Sequence, residues 1–205
     1  MNEKFYDLSK EKQDIMINGA MQVFAKNGYV HASTDEMVKV AGVSKGLWFH
    51  YFGNKKGLYK FVCTYAVNYG LLELSIKNRE QNTDYFNTKL AIENNKLAMV
   101  GKYPYLPLLI ISMKEEEDME AKEITKEIVE AMDAKISEQL ADTYKSSFGD
   151  VEIGIKINEM VDAFLSKLLR EQYNSPVFSE KYYLENVGIY LDVLHRYGNC
   201  DKITH

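Results

Sequence analysis

The sequence predicts an all-α protein of about nine helices, with a small three-helix head followed by a larger helical domain. Three observations predict it. The chain of 205 residues holds only three prolines, all beyond residue 100. Apolar residues recur at spacings of three and four along almost its whole length, the period of a helix with one buried face. No segment alternates apolar and polar residues as a half-buried strand would. With 46% hydrophobic residues the composition is that of an ordinary globular protein. No stretch approaches the ~18 consecutive apolar residues of a membrane span, and Met1-Asn2-Glu3-Lys4 opens into a polar run without an apolar leader. A cytoplasmic location is the expectation.

Taken in order, the first helix is predicted to start at Ser9, whose hydroxyl can cap the free amides of the first turn. Ile15, Met16, Ala20, Val23 and Phe24 then share one face, and Asn27-Gly28 ends the helix. Ser33-Thr34-Asp35-Glu36 has the S-x-x-E form of a capping box and starts a short second helix with Met37, Val38 and Ala41 inward. Ala41-Gly42-Val43-Ser44 is the next break. Ser44 caps a third helix from Lys45 to about Phe52, after which Gly53-Asn54 closes it and Asn54 caps a fourth helix reaching about residue 78. Further helices are read at about 85–100, 103–114, 118–147, 152–173 and 179–197, punctuated by Gly101 and Pro104, by Phe148-Gly149-Asp150 and by Asn174-Ser175-Pro176. The domain division is therefore 1–54 and 55–205, with helix 55–78 as connector.

Two short helices joined by a tight Gly-containing turn form the layout of a helix-turn-helix. The charge distribution suits it. Net charge is −5, yet residues 1–60 carry nine lysines against six acids, while the remainder has 16 bases against 24 acids. In the third helix Ser44, Lys45, Gly46 and Leu47 stand at the N-terminal end, where a recognition helix meets base edges. Trp48 and Phe52, four apart, can face the supporting helices. Gly46 has no side chain to hold the backbone off a groove floor. His50 and Tyr51 fall where ring N–H and phenol groups could reach phosphates, and Lys55 joins its charge to a helix N-terminus, a ready anion site.

Thr34 through Tyr59, TDEMVKVAGVSKGLWFHYFGNKKGLY, resembles the signature segment of the TetR (tetracycline repressor) family. Ala41-Gly42-Val43-Ser44 and Lys45-Gly46 match its pattern directly, and Asn27-Gly28-Tyr29 fits the end of its first helix. The resemblance covers roughly residues 9–60. It implies that Thr34 and Ser44 hold phosphates at two helix N-termini, that Lys45 and Gly46 meet bases in the major groove, and that Leu47 touches a thymine methyl. It implies also that His50, Tyr51 and Lys55 clamp the DNA backbone. One departure is Phe49, which stands where the family has Tyr and cannot donate to a phosphate.

Behind the head, the resemblance implies a ligand-binding and dimerisation domain. Ile157, Val161, Phe164 and Leu168 on the eighth helix, with Leu184, Val187, Leu191 and Leu194 on the ninth, have the spacing either of a monomer's closing core or of a four-helix dimer interface as in the family. The dimer is favoured because one head makes few contacts, whereas two heads about 34 to 36 Å apart read a palindrome. Tyr65, Tyr69, Met99, Tyr103, Leu109, Met113, Tyr144 and Phe164 are candidates to line the family's effector cavity, an adaptable lining for a hydrophobic or aromatic molecule. Cys63 and Cys200 are isolated, and His31, His195 and His205 are scattered, so no metal, cofactor or catalytic group is expected. The run Glu115-Glu116-Glu117-Asp118 reads as a solvated helix start. The expectation is a non-enzymatic repressor that binds a palindromic operator as a homodimer and is released by a small effector. The alternative is an effector-independent DNA-bound structural or partner-recruiting protein with a filled body.

Overall fold

The computed structural model describes residues 3–77 and 84–197. Cys200 and His205 lie outside them. Among the described residues there are nine α-helices, one short 3-10 turn at Glu3–Asp7 and no strand. The helices are α1 (Lys10–His31), α2 (Thr34–Ala41), α3 (Lys45–Phe52), α4 (Lys55–Lys77), α5 (Tyr85–Ala98), α6 (Leu106–Lys114), α7 (Met119–Phe148), α8 (Val151–Asn174) and α9 (Glu180–Tyr197). No described helix is long and apolar enough to cross a membrane.

The helix starts follow the local chemistry of the chain. Ser9 accepts from the Lys12 amide, Ser33 from Asp35, Ser44 from Leu47 and Asp150 from Ile153, while Asn54 Oδ1 accepts from Gly57 N at 2.8 Å. Each bond occupies an amide that the first turn leaves without an intrahelical acceptor. Gly42 (φ 62°) and Gly53 (φ 74°) take the positive φ needed to leave α2 and α3. Two expectations shift. Gly28 (φ 67°) breaks the helical geometry of α1, but a last turn resumes as far as His31. The sixth helix starts at Leu106 rather than near 103, because Pro107 sits in its first turn, where a missing N–H costs nothing.

The chain forms two compact units: residues up to Leu72 with Met99–Met132, and Glu73–Ala98 with the residues from Asp133 onward. The expected division after residue 54 does not coincide with them, because α1 packs on α6 as well as on α2, which ties the head to a later part of the chain. In the first unit Met16, Ile17, Ala20, Val23 and Phe24 of α1 are buried. Ile15 is exposed, against expectation: the buried face of α1 runs through Met16, Ala20 and Val23, spacings of four and three that leave Ile15 one position off it. Phe5, fully buried in the 3-10 turn, packs its ring 5.1 Å from Phe52 and 5.3 Å from Phe61.

In the second unit α5 and α8 pack on α9. Val161, Leu165, Leu168 and Leu169 of α8, and Tyr183, Val187 and Leu191 of α9, are buried within the chain. Of the stripe expected to form either a closing core or a dimer interface, Val161, Leu168, Val187 and Leu191 are buried within the single chain. Ile157, Phe164 and Leu184 are half-buried, and only Leu194 of that set is exposed. The apolar surface that remains lies one step around each helix, at Ile153 and Met160 of α8 and at Tyr182, Ile189, Tyr190 and Val193 of α9. A buried polar network also runs through this unit. The Lys89 ammonium donates to Asp162 and Asn158, and the Tyr183 hydroxyl donates to Glu93, itself paired with Lys96. Burial pulls the Lys89 ammonium below its ordinary value, and the Asp162 carboxylate opposes that pull.

Candidate nucleic-acid interface

α2, the Gly42 turn and α3 form a helix-turn-helix, with Trp48 and Phe52 turned inward as expected and Tyr51, expected outward, buried as well. Trp48 and Phe52 are buried, their ring centroids 5.8 Å apart. Trp48 Nε1 meets no acceptor among the described residues. On the outer side Ser44, Lys45, Gly46 and His50 are exposed, Leu47 is half-buried, and Phe49 keeps 41% of its surface in water. An exposed aromatic ring without a hydroxyl presents only an apolar contact. Nothing lies within 4 Å of where a Cβ would stand on Gly46, so the fold itself makes no demand for glycine there. Thr34, half-buried, opens α2.

Three residues of the expected set carry partners that the sequence does not announce. Tyr51 is buried, with its ring 5.7 Å from Phe5 and 4.9 Å from His50. The Lys55 ammonium donates to the carbonyls of Val30 (3.1 Å) and Ala32 (3.4 Å) and lies 4.8 Å from the Tyr29 ring centroid, binding the end of α1 to the start of α4. Lys45 Nζ stands 2.6 Å from Asp35 Oδ1, an ion pair between α3 and the first turn of α2.

The base of the head is held from the α6–α7 loop and the first turn of α7. Glu116 accepts from the Tyr29 amide at 2.9 Å, just past the Gly28 break, and Glu120 accepts from the Tyr29 hydroxyl at 2.8 Å and from Lys56 Nζ at 3.0 Å. Burial, reinforced by the Glu120 hydrogen bond and charge, pushes the Tyr29 phenol up to about 12. The Tyr29 and Lys56 hydrogen bonds hold the Glu120 carboxyl below its ordinary value. Of the acidic run, Asp118 does cap the start of α7 by accepting from Ala121 N, while Glu116 is a tether to the head and not merely a solvated charge. Sequence inspection misses this because the tether joins residues 87 apart in the chain.

The residues proposed for an effector cavity fall in both units. In the first, Tyr65 and Tyr69 line an open groove of about 710 Å³ along α4, together with Tyr6, Lys60, Phe61 and Asn68. Tyr65 and Tyr69 lie parallel along its wall, interplanar angle 7°. The Tyr65 and Tyr103 hydroxyls share a hydrogen bond of 2.6 Å, and Tyr103 donates to Asp14 at 2.6 Å. Tyr103, Met99, Leu109 and Met113 are buried and do not border the groove. In the second unit Tyr144 is buried and Phe164 packs against Tyr190 with centroids 4.1 Å apart. Among the described residues no cluster of three or more His, Cys, Asp or Glu has the arrangement of a metal site.

Comparison with known proteins agrees with this geometry. Residues 16–62 match the family model described as bacterial regulatory proteins, tetR family. No curated protein sequence matches the chain. Several solved structures share the fold along nearly the whole length. A TetR family transcriptional regulator from Chloroflexus aurantiacus aligns with a TM-score of 0.66 at 20% identity, covering 96% of this chain and 97% of that one. A transcriptional regulator from Rhodococcus sp. gives 0.58 at 21%, covering 93% and 95%. The fatty acid degradation regulator FadR from Bacillus halodurans gives 0.55 at 16%, covering 90% and 96%. Residues 16–62 of this chain thus match the model of the bacterial tetR-family regulatory proteins, and the chain as a whole shares an all-helical fold with solved structures of TetR family transcriptional regulators.

Proposed function

We propose that the chain is a DNA-binding transcriptional regulator, a repressor that occupies a palindromic operator as a homodimer and is released by a small hydrophobic or aromatic effector. The observation that carries the DNA-binding part is α3. Its N-terminal end presents Ser44, Lys45 and Gly46 to solvent with no side chain above the glycine, while Trp48 and Phe52 anchor its other face. Leu47, Phe49 and His50 flank that end, and Thr34 opens the neighbouring helix, a surface of the size and chemistry that enters a major groove. Tyr51 and Lys55 serve this surface from behind, the one through its ring packing and the other by bracing the α1–α2 joint.

Support for a dimer is the apolar surface of α8 and α9, where Met160, Tyr182, Ile189, Tyr190 and Val193 are all exposed within one chain. Pairing these helices with their two-fold mates buries it in a four-helix interface. The effector site is assigned to the groove at Tyr65 and Tyr69, whose volume lies within the range of about 300 to 1,000 Å³ usual for small-molecule sites. α4 runs from that groove to Lys55 at the head, so an effector that favours a tilted α4 moves the heads, with a coupling of about 1 to 3 kcal/mol. The test is selection of bound sequences from a random duplex pool. A palindromic consensus is the expected outcome; a protein that is monomeric and enriches no sequence refutes the proposal.

A further inference from the structure

The groove along α4 has a wall made of two unlike rows. Phe61, Tyr65 and Tyr69 follow one another at four-residue spacing, so their rings line up along one stripe of the helix. From first to last the stripe rises about 12 Å, room for two or three fused rings. Beside it Lys60, Thr64 and Asn68 form a polar row, and the exposed side chain of Leu72 stands at the far end. Two hydroxyls of this wall are already committed as donors. Tyr103, buried and in ring contact with both Tyr65 and Tyr69, gives its single proton to Asp14 Oδ1. The 2.6 Å bond between the two phenols must therefore carry the Tyr65 proton toward Tyr103. The Thr64 hydroxyl donates to the Lys60 carbonyl at 2.8 Å. Toward a ligand, both oxygens can only accept.

Charge points the same way. Lys60 is exposed and pairs with no carboxylate among the described residues. Two more ammonium groups stand by the ring row: Lys10 Nζ lies 5.8 Å from the Tyr65 ring centroid and Lys102 Nζ 5.5 Å from that of Tyr69. Asp14 is already occupied, by Lys10 at 3.3 Å and by the Tyr103 hydroxyl. A cationic ligand is repelled by all three lysines, and a neutral carbonyl finds no proton on Tyr65 or Thr64. We infer that the groove takes an aromatic carboxylate, its flat ring system lying on Tyr65 and Tyr69 and its carboxylate paired with the Lys60 ammonium. This rests on the effector site proposed above and names the chemical class of that effector. The ring contacts supply most of the affinity, because an exposed ion pair contributes little. Lys60 supplies the choice among molecules of the same shape.

The experiment is calorimetric titration of the full-length protein, without DNA, by four probes: 2-naphthoate, 2-naphthamide, 2-naphthylmethylammonium and decanoate. The parent should bind naphthoate about two- to fivefold more tightly than the amide, the scale of one exposed ion pair, with the gap closing at high salt. The ammonium should bind most weakly of the three naphthyl probes, and decanoate more weakly than naphthoate. Lys60→Met removes an exposed charge and leaves the backbone carbonyl that Thr64 uses; it should erase the gap and leave amide binding unchanged. Tyr69→Leu should weaken acid and amide alike, by about two- to tenfold. Thermal unfolding confirms that both variants fold. The inference is overturned by equal binding of acid and amide to the parent, by a gap that survives in Lys60→Met, by decanoate matching naphthoate, or by no binding of any probe. Sequence selection from the duplex pool runs without ligand, so each of those results leaves the DNA-binding proposal standing. Naphthoate binding by a protein that enriches no duplex supports the groove's chemistry and removes its regulatory role.

Discussion

Replacing Gly46 with alanine separates what the fold needs from what a duplex needs. Glycine in a helix loses more backbone freedom on folding than alanine, a penalty of about 0.5 to 1 kcal/mol. A Cβ on Gly46 would meet nothing within 4 Å, and Gly46 is not among the glycines that take a positive φ, so neither clash nor backbone strain opposes the substitution. The isolated protein should therefore become more stable, toward the low end of that range because the residue lies in the first turn. For a chain of this size that is roughly 1 to 3 °C in Tm. In the proposed DNA-bound arrangement, the same methyl group would stand where the backbone of α3 approaches the groove floor. Losing one close base-edge contact there costs about 1 to 3 kcal/mol, a roughly five- to 150-fold weakening of operator binding for each head. Calorimetry and fluorescence anisotropy on one preparation read both quantities. A Gly46→Ala protein that gains stability and keeps its operator affinity would refute the reasoning, since the glycine would then have no purpose inside the molecule or outside it.

Three further outcomes follow from the packing and the charges. Gly19→Ala should destabilise the head by about 1 to 3 kcal/mol despite its better helix propensity, because the new Cβ would stand 2.9 Å from Ala41 Cβ, which has no rotamer to retreat into; an unchanged unfolding midpoint would contradict the tight crossing of α1 and α2. Aspartate at Met160 and Ile189 together, residues with 72% and 59% of their surface exposed, should leave the folded monomer intact and weaken dimerisation at least tenfold; sedimentation that still shows a dimer at the same concentration would move the interface elsewhere. The Glu120 carboxyl is held below its ordinary value, so its contribution is complete above the ordinary carboxylate range and is lost as pH falls through the lowered value. Glu120→Gln should accordingly flatten the acid side of the stability-against-pH curve, and identical acid limbs for the two proteins would exclude the Tyr29–Glu120–Lys56 tether as a source of that dependence.

What the amino-acid sequence determines unaided is everything that is decided within a turn of helix. Ser9, Ser33, Ser44 and Asn54 cap helices through bonds spanning two or three residues, and Gly42 and Gly53 end them through their own φ angles, so α1 to α3 are legible in the sequence itself. The inward faces of α3, Trp48 and Phe52, were legible for the same reason, a four-residue spacing on one short helix. Tertiary structure alone decided the rest. α8 and α9 each carry apolar residues over more than one face, and periodicity cannot say which face meets α5 and which is left outside; only the packing shows Val161, Leu168, Val187 and Leu191 turned inward and Met160 and Ile189 outward. The Asp35–Lys45 pair, the Glu116 tether to Tyr29 and the Lys89–Asp162 network depend on charges brought together by chain reversal. A charge carries no mark of its partner in the sequence, because the Coulomb energy depends on distance in space and not on separation along the chain.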